Sequence, residues 1–146
     1  MAKNVTHHRF HNEEWVQSYV SGITVRRPER TEVFDHIADQ LCSLPFPNPH
    51  IVELAAGSGM LAEILLGKMS HITYESIDYS APMVALAHKN LSRHGDRITL
   101  HRADLNEDNW PDLLSQPVHA FVSNMAIHDL GSEENVLDVY KKVREF

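Results

Sequence analysis

The sequence predicts an α/β fold, a parallel β-sheet flanked by helices, and three observations carry that prediction. From His50 onward, short apolar runs alternate with helical stretches: IVEL, MLAEILLGKM, ITYESID, APMVALAHKNLSRH and RITLH. Such alternation reads as βαβαβ. The first strand passes into its helix through a glycine-bearing turn, AAGSG at 55–59, where the chain can fold tightly. The whole chain has 146 residues, 42% apolar and 23% charged, an ordinary globular composition for a single domain that buries about two-thirds of its unfolded surface.

Taken in order, the elements begin with Asn12 to Tyr19, where Trp15, Val16 and Tyr19 stand at helical spacing and predict a short amphipathic helix. Pro28 suits the first turn of a second helix, whose apolar stripe is Val33, Phe34, Ile37, Ala38 and Leu41. Cys42, placed on that face, is expected to be a small buried hydrophobe. Prolines at 45, 47 and 49 end the helix and stiffen the passage to His50. Beyond the βαβαβ run lies a fourth apolar strand, VHAFVSN, and then a helix from about Ser132 with Val136, Leu137, Tyr140 and Val143 on one face. No repeat or linker divides the chain. Residues 1–49 read as an N-terminal helical segment and 50–146 as the sheet-forming part of one structural domain.

Composition narrows the function classes. No apolar run approaches the roughly 20 residues needed to span a bilayer, and the N-terminus lacks the apolar core of a signal peptide, so a cytoplasmic, membrane-free protein is expected. One cysteine excludes an intramolecular disulfide. Thirteen Lys and Arg against twenty Asp and Glu give a net charge of −7, which disfavours nucleic acid as a partner. The basic residues Arg26, Arg27 and Arg30 cluster before the second helix, either as a solvated helix start or as a local anion contact. His7, His8 and His11 form HHxxxH, but no carboxylate or cysteine is placed to complete a metal site, and no metal is expected.

The densest signal is ELAAGSGM at 53–60. Gly57 and Gly59 allow close ligand approach, and the helix start beyond them offers free N–H groups. GSGMLA also fits the dinucleotide pattern G-x-G-x-x-A, with Asp78 about 20 residues on, where a ribose-binding carboxylate belongs. Glu53 argues for a different ligand. A carboxylate there repels a pyrophosphate and welcomes an ammonium or sulfonium. Asp104, just past the third strand, is placed either to accept a hydrogen bond from an adenine amino group or to shape a turn. The fourth strand delivers Ser123, Asn124 and His128 to the same C-terminal edge of the sheet, where open parallel sheets bind ligands.

VELAAGSGM, YESIDYSAPMVALA, ITLHRADL and AFVSNMAIHDL resemble, in order and spacing, four motifs of the class I S-adenosylmethionine-dependent methyltransferases. The likeness runs from about His50 to the end. It implies a Rossmann-like sheet of strand order 3-2-1-4, with the family's strands 5–7 absent and the domain truncated after the fourth strand. It also implies a cofactor site. The loop from Ala55 through Gly57, Ser58 and Gly59 would hold the methionine portion of S-adenosylmethionine and Glu53 its amino end. Asp78 would take the ribose hydroxyls, Tyr79 and Met83 would flank the adenine, and Asp104 and Leu105 would stand at its edge. Asn124 and Met125 are further cofactor contacts. Ala55 departs from the family's first glycine, which is expected to weaken binding without abolishing it. The N-terminal helices are expected to act as a lid, with Trp15, Tyr19 and Arg27 as contacts.

The function implied is methyl transfer, with S-adenosylhomocysteine as product and completion by a partner chain or a missing C-terminal part. The residues leave small molecule, protein and nucleic acid open as acceptor, and the net charge of −7 points to a small molecule. His128 is the candidate general base. The competing readings are a non-catalytic S-adenosylmethionine-binding regulatory or assembly domain, a truncated remnant, and a nicotinamide-dependent dehydrogenase. The exposed edge of the fourth strand invites a homodimer or a completing chain, unless the last helix covers it.

Overall fold

The computed structural model describes residues 9–107 and 109–146. Its centre is a four-stranded parallel sheet of β1 (His50–Leu54), β2 (Thr73–Asp78), β3 (Ile98–Arg102) and β4 (Ala120–Val122), in the order β3-β2-β1-β4. That is the expected α/β architecture and strand order. The helices are α1 (Glu13–Arg26), α2 (Arg30–Cys42), α3 (Met60–Lys68), α4 (Ala81–Leu91) and α5 (Glu133–Arg144).

Strand alternation divides the sheet into two buried faces. Ile51 and Tyr74 point to one of them and pack with Phe34, Ala38 and Leu41 of α2, Leu61, Leu65 and Leu66 of α3, and Ala87 and Leu91 of α4. Val52, Leu54 and Ile77 point to the other, against Leu105, Trp110, Leu130 and Val139 of α5. Both faces are covered, as a parallel sheet requires. Toward the strand starts, buried Glu75 accepts from the Ser115 amide at 2.9 Å and sits 3.0 Å from the His50 ring and 2.5 Å from that of His101. Burial opposes charge on Glu75, but its contacts with His101 and Ser115 outweigh that and hold it below the ordinary carboxylate range.

Helix starts follow local chemistry. Asn12 caps α1 by accepting from the Trp15 amide at 2.8 Å, Ser80 caps α4 from Met83 at 3.2 Å, and Ser132 caps α5 from Asn135 at 3.1 Å.

Several expectations need correction. The first helix runs to Arg26, beyond Tyr19, because Ile23 is buried and carries the helix past Gly22. Pro28 lies in the turn between α1 and α2, two residues before the helix begins. Phe34, Ala38 and Leu41 define the buried stripe of α2, which leaves Val33 41% exposed and turns Cys42, one residue past Leu41, to solvent. On α5 the buried face centres on Val139, with Val136 and Val143 half-buried, whereas Leu137 and Tyr140 are exposed. Among the described residues no helix is long and apolar enough to cross a membrane.

Candidate functional site

All four strands end on one side, and the loops beyond them enclose a cavity of about 460 Å³, a size suited to a cofactor. Glu53, Ala55, Gly57, Ser58, Asp78, Tyr79, Met83, Asp104, Leu105, Asn124, Met125 and His128 all line it.

The glycine loop is held by the end of β2. The Ala56 amide donates to the Ile77 carbonyl at 3.0 Å, and the Gly57 amide donates to Asp78 Oδ2 at 2.8 Å. Asp78 Oδ1 accepts from the Ser80 amide at 2.9 Å. Asp78 therefore pins the loop to the end of β2 as well as facing the cavity. Burial raises its pKa, against the hydrogen bonds from Ser80 and Gly57 that favour its charge.

Gly57 has φ +61°, and a Cβ there would meet only Met83 Sδ at 3.8 Å, so it is the backbone conformation that calls for glycine. Gly59, expected among the cofactor contacts, is not among the residues lining the cavity. It has φ +86°, and a Cβ on it would fall 2.7 Å from Leu91 Cδ1, so its place is the close packing of α3 on α4. Ala55 and Met125, the non-glycine residues with positive φ among the described residues, at 54° and 52°, both line the cavity. Backbone strain of this kind, about 1–2 kcal/mol each, collects at functional sites.

Glu53 is 3% exposed and accepts from the Tyr74 hydroxyl at 2.9 Å. Burial pushes its pKa up to about 8; the Tyr74 bond opposes the rise, Asp78 adds to it and Arg30 opposes it. Asp104 serves as a turn residue, its Oδ1 accepting from the Asn106 amide at 2.9 Å, and it lines the cavity as well. Ser123 reaches the sheet edge, but its hydroxyl donates to the Leu54 carbonyl at 2.7 Å and ties β4 to β1. His128 has a 66% exposed side chain, with Nε2 3.4 Å from Asp129 Oδ1.

The N-terminal helices form one wall. Tyr19, Ile23, Arg26, Arg27 and Arg30 line the cavity, as does Phe10. Trp15 stands behind them, stacked on Tyr19 at 5.1 Å and edge-on to Phe10 at 4.9 Å. The wall is fastened to the sheet by the Ser80 hydroxyl, which donates to the Phe10 carbonyl, and by Phe10 against Tyr79. His11 lies 5.1 Å from Tyr79 by ring centres; His7 and His8 lie outside the described residues.

Arg30, marked from the sequence only as part of a basic cluster that could contact an anion, is a lining residue with a buried unpaired atom. Its Nε and the Nδ2 of Asn124 are buried without a partner among the described residues, and both side chains line the cavity. Buried donors of this kind are rare unless something else satisfies them. They fit a ligand bearing acceptors, while Glu53 and Asp78 fit one bearing a cation and hydroxyls.

Comparison with known proteins bears on the family and the fold. A family model described as a methyltransferase domain matches residues 51–145. The ribosomal protein uL3 glutamine methyltransferase of Bradyrhizobium diazoefficiens is 28% identical over 98 residues, which cover 63% of this chain and 31% of that protein. The release factor glutamine methyltransferase of Chlorobaculum tepidum is 27% identical over 107 residues, covering 70% and 36%. The chain thus spans about a third of the length of these curated relatives. A Methanococcus maripaludis structure assigned as an S-adenosyl-L-methionine-dependent methyltransferase superimposes with TM-score 0.68 at 19% identity, over 98% of this chain and 62% of that one. A Geobacter sulfurreducens S-adenosylmethionine-dependent methyltransferase in complex with S-adenosyl-L-homocysteine gives 0.57 at 18% identity, over 76% and 43%. At these identities the structural likeness establishes the fold.

Proposed function

The chain belongs to the methyltransferase domain family, whose model matches residues 51–145, and from that premise we propose that its cavity binds S-adenosylmethionine for methyl transfer to a small-molecule acceptor. The observation that carries this reading is the meeting of two buried carboxylates, Glu53 and Asp78, with two unpartnered buried donors, on Arg30 and Asn124, around one glycine loop. An amino-acid head with opposite charges, joined to a ribose, matches that set.

In this reading Glu53 faces the ammonium of the methionine portion and Arg30 its carboxylate, with the loop from Ala55 to Ser58 alongside. Asp78 accepts from the ribose hydroxyls while continuing to hold the loop. Tyr79 and Met83 flank the adenine, Asp104 and Leu105 take its edge, and Asn124 and Met125 close the site from β4. When bound, the cofactor supplies a sulfonium methyl that an acceptor nucleophile attacks in line, leaving S-adenosylhomocysteine. The protein then has to align the acceptor and exclude water, and such alignment is worth about 7–11 kcal/mol at its best. The helices of residues 1–49 serve as the lid and acceptor side. Arg26 and Arg27 on that wall favour an acceptor with a carboxylate or phosphate. His128 is the base for an acceptor that must lose a proton.

A labelled-methyl transfer assay tests this against candidate acids and against a protein glutamine acceptor of the kind named for the curated relatives. Transfer to a small acid that falls at least tenfold in His128→Ala supports the reading. Transfer to the protein alone replaces the acceptor, and tight cofactor binding without any turnover favours the non-catalytic binding domain.

A further inference from the structure

We infer that Glu53 and Tyr74 make ligand binding in this cavity a proton-releasing event, with Tyr74 as the positioning residue that holds the Glu53 carboxyl. The inference rests on the cofactor reading above and adds a role that reading does not need.

The geometry places Glu53 where a charge is hard to keep in the ligand-free protein. It lies on β1 at 3% exposure, and the hydroxyl of Tyr74, itself 1% exposed on the neighbouring strand, is its one hydrogen-bond donor among the described residues. Ser76 stands opposite Glu53 in the strand register and is equally buried, yet its hydroxyl makes no bond to it. The groups facing this carboxyl are Tyr74 and Asp78 from β2 and Arg30 from α2. Arg26, Arg27, Asp104, His128 and Asp129 are the other charged or titratable groups around the cavity with Tyr19 and Tyr79, and His11 acts on Asp78. A single neutral donor and one cation do not offset burial beside another carboxylate, and the carboxyl of Glu53 accordingly holds its proton up to about pH 8.

A cation brought against Glu53 changes that balance. The carboxyl O–H bond breaks, the proton leaves to solvent through the cavity mouth, and the carboxylate formed pairs with the incoming ammonium. Tyr74 keeps its hydrogen bond to the carboxylate throughout. Below the pKa of Glu53 each binding event then releases close to one proton, and affinity rises roughly tenfold per pH unit. Without the Tyr74 hydroxyl the carboxyl holds its proton to higher pH.

The test is calorimetric titration of the full chain with S-adenosylhomocysteine at pH 6, 7 and 8, in pairs of buffers with different ionisation enthalpies. The expected result is release of nearly one proton per ligand at pH 6 and 7 and about half at pH 8. Release should vanish in Glu53→Gln, and its half-point should move to higher pH in Tyr74→Phe, with circular dichroism establishing that both variants fold. Binding without proton release in the parent chain overturns the inference and leaves the cofactor site standing. A Tyr74→Phe variant that loses stability but keeps the parent's pH profile overturns the role of Tyr74. A folded parent chain that does not bind overturns both the inference and the cofactor reading.

Discussion

Glu53 shows how burial of one carboxyl group makes its charge costly to stability. Its ordinary pKa is 4.5 and burial raises it to about 8. Between those values the folded chain holds a proton that the unfolded chain has released, so stability falls as pH rises through that window. Glu53→Gln is therefore expected to be more stable than the parent at pH 8, by on the order of a few kcal/mol, with the difference disappearing toward pH 5. Urea denaturation at both pH values measures this. Asp78 titrates with the same sign, because burial raises it too. The position of both carboxylates at strand ends was readable in the sequence. Their partners were not. Tyr74 reaches Glu53 only because β1 and β2 pair with Ile51 against Tyr74, and a register is a tertiary fact. Asp78 holding the Gly57 amide depends equally on how the loop returns over β2.

At the level of elements, strands were more legible than helix faces. Short apolar runs gave β1, β2 and β3 to within a residue or two, and β1, buried along nearly its whole length, is the one that an apolar stretch alone marks. A helix exposes one side, and choosing that side from sequence fails when apolar residues exceed the buried stripe. Leu137 and Tyr140 on α5 and Val33 on α2 are such surplus residues. The joint between α3 and α4 was also hidden, because nothing in the sequence shows that Gly59 leaves room for Leu91. Gly59→Ala is expected to cost about 2–4 kcal/mol, combining left-handed backbone strain with overpacking against Leu91. Chemical denaturation reads that loss. A substitution there that leaves stability unchanged contradicts the packing role.

Across the molecule, the parallel order β3-β2-β1-β4 brings residues far apart in sequence to one edge, and the family motifs anticipated that convergence. Three arginines from α1, α2 and the turn between them line the same cavity as Glu53, Asp78, Asp104 and Asp129. A net charge of −7 gives no sign of that local mixture of charge. Charge placed in this way favours ligands with ends of opposite sign, and it is the property that distinguishes an amino-acid-bearing nucleoside from a pyrophosphate-bearing one.

The most direct measurement is calorimetric titration of S-adenosylhomocysteine into the 146-residue chain and into Asp78→Asn, with a nicotinamide dinucleotide as the competing ligand. The account predicts saturable binding of S-adenosylhomocysteine, an affinity about 10–100-fold weaker in Asp78→Asn through the loss of charge-assisted hydrogen bonds, and no comparable binding of the dinucleotide. A folded chain that binds the dinucleotide in preference, or that binds S-adenosylhomocysteine equally well without the Asp78 charge, contradicts it.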